Sequence, residues 1–86
     1  MKYVYPAVFS VDLKDPEYIG VQFPDIIPGV TFGDSFDDAM FMAKDLLKLM
    51  LTEAPQQCFP PSTIERVQKE YPGKRVVLVE VEIEDQ

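Results

Sequence analysis

Carboxylates are the most abundant reactive groups in this 86-residue chain, with fifteen Asp and Glu against eight Lys and Arg and a formal net charge of −7. Clustered acids can hold two divalent cations about 4 Å apart and cut phosphodiesters. Asp12 and Asp25 are the residues a nuclease reading would invoke. The acids are instead dispersed among places with ordinary structural uses. Asp12 and Asp15 lie in a polar turn, and Asp34, Asp37 and Asp38 crowd a helix start, where the macrodipole favours anions. Glu80, Glu82, Glu84 and Asp85 form a run on a strand face open to water, a pattern that discourages edge pairing. No catalytic residue, metal site or cofactor is expected.

Histidine is absent, which excludes Ser-His-Asp and Cys-His catalysis, imidazole acid–base chemistry and mixed Cys/His zinc sites. Cys58 is the only cysteine, so no internal disulfide can form, and a reducing cytosol is the compartment that fits. No apolar run approaches the eighteen or so residues of a membrane span, and the start lacks a signal-peptide core. A surface of this charge repels phosphate backbones and attracts basic proteins.

Two other groups could make a site. Arg66, Lys69, Lys74 and Arg75, with Tyr71 among them, interleave cations with an aromatic as RNA-binding surfaces do. Phe41 lies about 140° around the helical wheel from Phe36, off the apolar stripe and among Asp37, Lys44 and Lys48. With Met42 beside it, Phe41 marks a contact surface for self-association, against the bland reading of a singly exposed apolar residue.

These groups need elements to place them. The stretch Phe23 to Leu51 organises the chain: a Pro- and Gly-bounded turn, a short strand at Val30–Phe32, then a helix capped by Ser35 with Asp38 completing a capping box. Ala39, Met40, Ala43, Leu46, Leu47, Met50 and Leu51 give it one apolar face at a period of 3.6. Upstream, Lys2–Val11 reads as strand one, with Tyr3, Tyr5, Ala7, Phe9 and Val11 on one face and Pro6 marking a bulge or an unpaired side. Tyr18–Phe23 alternates as strand two of a hairpin. Downstream, a Pro-rich loop leads to a short helix capped by Ser62 and stopped at Tyr71-Pro72-Gly73, and Lys74–Ile83 is the last strand. The order β-β-β-α-β predicts a single α+β domain over residues 1–86. One long helix covers a four-stranded mixed sheet as a two-layer sandwich, with a right-handed crossover to a parallel last strand.

Along Phe23–Leu51 the chain resembles the HicB family of antitoxins. The resemblance rests on Tyr5-Pro6-Ala7, Phe23-Pro24-Asp25, Pro28-Gly29, and Gly33-Asp34-Ser35 running into Asp37, Asp38, Ala39 and Ala43-Lys44. Pro60-Pro61-Ser62 and the valine-rich last strand extend it over most of the chain. It implies a partial RNase H-like fold without nuclease function, with strand order 3-2-1-4. It also implies a partner, HicA, a small basic mRNA-cleaving toxin with a double-stranded-RNA-binding-like fold. The chain departs from the family pattern where Ile26 and Ile27 separate Asp25 from Pro28-Gly29, and where Phe41 and Met42 replace commonly polar residues. The helix-turn-helix or ribbon-helix-helix segment that many members carry after the last strand has no counterpart before Gln86, so DNA binding is not carried over.

The functional expectation is therefore a cytoplasmic, homo-oligomeric (dimeric or tetrameric) antitoxin-like protein of a type II toxin–antitoxin system. Its partner would be met by Ile26 and Ile27 in the turn and by Glu80 and Glu82 on the last strand. The competing expectations are a solitary RNA-binding module using Arg66, Lys69, Lys74 and Arg75, and an orphan domain that assembles with itself.

Overall fold

The computed structural model describes residues 1–12 and 14–84, so Leu13 and the Asp85 end of the acidic run lie outside the described residues. Seven elements follow one another: β1 (Lys2–Asp12), β2 (Asp15–Gln22), β3 (Val30–Gly33), α1 (Phe36–Glu53), a 3₁₀ turn (Pro55–Gln57), α2 (Ile64–Glu70) and β4 (Arg75–Glu82). The sheet order is β3-β2-β1-β4, as the family resemblance implies.

Every neighbouring pair is antiparallel, so the mixed sheet expected from sequence is corrected. That expectation assumed one helical pass between β3 and β4. The chain makes two. α1 runs beside β4 in the same direction, with Phe41 near Glu80 and Thr52 near Glu84. The turn, the loop and α2 then carry the chain back before β4 begins. Two passes return the chain to the end it left, which makes β4 antiparallel to β1.

Alternation decides which residues enter the core. Tyr5, Ala7 and Phe9 of β1, Val21 of β2, and Val79 and Val81 of β4 share one face and pack beneath Ala39, Ala43, Leu47 and Met50 of α1. The small Ala39 and Ala43 let the helix approach closely, and the same closeness explains Gly33. A Cβ there would lie 2.3 Å from the Ala39 backbone nitrogen. Ser35 caps α1 through its hydroxyl, which accepts from Asp38 N–H at 3.0 Å, while the Asp38 carboxylate accepts from Asp34 N–H at 2.9 Å.

The opposite face is partly covered as well. Val8 and Val67 are both buried yet belong to no part of the α1 core, and α2 packs on β1 and β4. α2 therefore lies on the second face as a small lid. Thr63, not Ser62, caps it, its hydroxyl accepting from Arg66 N–H at 3.2 Å. Pro6 pairs with Leu78 without a bulge, so of the two expectations there the unpaired side is the one met, and the register irregularity falls at Val11/Asp12. β2 stops pairing at Val8, so Pro6 has no β2 partner. Among the described residues no helix is long and apolar enough to cross a membrane.

Candidate partner-binding site

The turn after β2 is built as a clamp. Phe23 N–H donates to Gly29 O at 2.7 Å and closes the loop on itself. Gly29 fits because a Cβ would lie 2.6 Å from Ile26 O. The loop is then fastened to the segment after α1, where Ile27 N–H donates to Gln57 O at 3.2 Å and Phe59 N–H donates to Asp25 O at 2.8 Å. Tyr5 Oη–H also reaches Phe59 O at 2.9 Å.

Asp25 is the centre of this clamp. Its carboxylate accepts Ser62 N–H and Ser62 Oγ–H, both at 2.8 Å. Both carboxylate oxygens are thereby engaged within the fold, and among the described residues no three Asp, Glu, Cys or His side chains gather as a metal site. Ser62, taken from sequence as a helix cap, is the ligand that Asp25 holds. Asp25→Ala removes two hydrogen bonds to a charged acceptor, each worth about 1.5–3 kcal/mol when buried. At this half-buried position a loss near the lower end, about 2 kcal/mol, is expected. Urea unfolding with unchanged m-value checks it.

The clamp splits the two isoleucines. Ile26 is buried at 2 % exposure and forms a bridge opposite Cys58, so its expected contact with a partner is corrected: it plugs the end of the core. Ile27 stands 62 % exposed beside Pro28. Burial raises the pKa values of both the Cys58 thiol and the Tyr5 phenol, so both are neutral at physiological pH.

The other singled-out residues are regrouped by the fold. Phe41, Glu80 and Glu82 come together: a shallow groove between α1 and the edge of β4 is lined by Phe41, Lys44, Lys48, Glu80, Val81 and Glu82. Phe41 is exposed there, whereas Met42 is half-buried. Glu80 lies 4.0 Å from Lys2. The basic group is dispersed. Arg66 pairs with Glu70 at 3.3 Å, and Lys69 shares its helix on the second face. Arg75 is on the α1 face, with its guanidinium 4.2 Å over the Phe36 ring. Lys74 sits in the turn between them, so the four cations form no single platform.

Sequence reading passed over an exposed strip on the second face. Tyr18 and Phe32 stack with ring centroids 5.0 Å apart, and Val30 next to them is 70 % exposed. The signal was present in Val30 and Phe32 alternating with Thr31. It becomes legible only with the β2–β3 register, which sets Gly20 opposite Phe32 and opens room for the ring.

The chain is thus an acidic α+β domain with its sheet in the order 3-2-1-4 and a clamped turn that presents Ile27. No protein-family model and no curated protein matches the chain. Solved structures do. The N-terminal domain of the Burkholderia pseudomallei antitoxin HicB is 30 % identical with a TM-score of 0.72, over 94 % of this chain and 100 % of that one. The longer B. pseudomallei HicB is 28 % identical with a TM-score of 0.74, and this chain spans 64 % of its length. A toxin–antitoxin complex from Streptococcus pneumoniae shares the fold at 24 % identity, with a TM-score of 0.74 over 95 % of this chain and 70 % of that one. The chain belongs to the HicB-like antitoxin family.

Proposed function

We propose that this protein is the antitoxin of a type II pair, a non-enzymatic binding protein that neutralises a small basic HicA-type mRNA-cleaving toxin. One observation carries the reading: the chain matches a HicB N-terminal domain over that domain's whole length. Its charge supports it. No charged side chain is buried among the described residues, so the excess of acids acts at the surface, where it attracts a basic protein.

The apolar centre of the interface is Ile27, held out by the clamped loop, with Val30 and Phe32 following it in sequence. Rigid presentation favours affinity because little loop entropy is lost on binding. Glu80 and Glu82 act as the steering charges, changing association rate more than residence time. Self-association uses Phe41, while Met42 is half-buried and contributes less. Calorimetry with the toxin encoded beside this protein tests the reading. Ile27→Asp is expected to weaken binding at least about tenfold, the scale of one lost apolar anchor. Unchanged affinity would move the contact away from the loop.

A further inference from the structure

We propose that the free edge of β4 pairs antiparallel with β4 of a second copy, joining two sheets into one of eight strands. The inference deepens the self-association reading and is independent of any toxin.

The backbone of β4 is set for this. Met1 and Ile83 form a doubly hydrogen-bonded pair, with Met1 N–H donating to Ile83 O at 2.7 Å and Ile83 N–H to Met1 O at 2.9 Å. Bonded and non-bonded pairs alternate along an antiparallel ladder. In the β1–β4 register, Val81 and Val79 therefore bond to β1. Val76, Leu78, Glu80 and Glu82 turn their N–H and C=O groups to the free edge. Among the described residues no strand lies beyond β4 in the sheet.

The side chains make the edge self-complementary. Cations stand at one end of the strand, Lys74 and Arg75, and anions at the other, Glu80, Glu82 and Glu84. Between them lies the apolar run Val76–Val79, with Leu78 48 % exposed. A uniformly basic partner strand would meet Lys74 and Arg75 unfavourably. A second copy running antiparallel satisfies both ends. A two-fold axis perpendicular to the sheet keeps the α1 faces together and requires residues of like parity to meet. With Leu78 on the axis, Val76 meets Glu80, and Lys74, whose backbone is held in the turn before β4 by Tyr71 and Gln68, brings its side chain to Glu82 of the second copy, twice. Glu82 then lies between Lys2, its β1 neighbour, and the incoming Lys74. The groove holding Phe41 runs along this seam, so the pairing also covers the 67 % exposed ring.

Charge reversal on two separate chains tests the pairing. Lys74→Glu sets Glu against Glu across the seam, and Glu82→Lys sets Lys against Lys. Each variant alone should dimerise at least about tenfold more weakly than wild type, since two cross-strand pairs change sign. Mixed in equal amounts, the two variants regain both opposite-charge pairs and should form a heterodimer. Light scattering reads the mass, native mass spectrometry the composition, and circular dichroism confirms that each variant is folded. Any of three results would overturn the proposal: monomeric wild type at micromolar concentration, folded single variants that dimerise as wild type does, or a folded mixture that stays monomeric.

Discussion

Gly33→Val is expected to abolish cooperative unfolding of this domain near room temperature. The end of β3 and the start of α1 meet backbone to backbone at Gly33, where an added Cβ would lie 2.3 Å from Ala39 N and 2.6 Å from Ala39 Cα. No rotamer change relieves a contact with backbone atoms, so the helix N-terminus has to move. Ser35 and Asp38 cap the helix at that spot, and Ala39 and Ala43 set its height above the sheet. Overpacking costs about 1–3 kcal/mol when side chains can adapt, and more when they cannot. A domain of this size holds a total stability of about 5–10 kcal/mol, so several kcal/mol lost here leaves little. Thermal melting followed by circular dichroism checks it. A variant melting within a few degrees of wild type would show that the helix start is free to slide.

The second large effect is expected in kinetics. Glu80→Lys/Glu82→Lys moves the net charge by four units, from −7 to −3. Both carboxylates are exposed, so stability should change little. Association with a basic toxin should slow about tenfold or more at low salt, and the difference from wild type should shrink as salt is raised. Stopped-flow binding at two salt concentrations measures this, with the oligomeric mass of each protein read in parallel. A rate indifferent to both the reversal and the salt would remove electrostatic steering from the mechanism.

Much of this was legible in the sequence because local rules act over short spans. The cap at Ser35, the acids after it and the period of Ala39, Ala43, Leu47 and Met50 specify α1 without tertiary knowledge. Alternation likewise sorted Val79 and Val81 from Glu80 and Glu82. The direction of β4 was not legible, since it depends on a return path whose turn and short helix carry little periodicity. Nor was the fate of Ile26 and Ile27. A clamped turn has no repeat to assign inside and outside, and the choice is made by hydrogen bonds that tie Asp25 and Ile27 to residues thirty or more positions away, Ser62 and Gln57 among them. The dispersal of Arg66, Lys69, Lys74 and Arg75 had the same cause: α2 and the α1-facing side of β4 lie on opposite faces of the sheet, while the sequence sets them side by side.

Suppression of toxin activity tests the antitoxin reading most directly. The HicA-type protein encoded beside this chain is incubated with a messenger RNA, and cleavage is followed as this protein is added. Cleavage should fall in proportion to the protein added and stop at a stoichiometric ratio, and Ile27→Asp should require a clear excess for the same protection. Undiminished cleavage in the presence of excess folded protein would contradict the antitoxin reading.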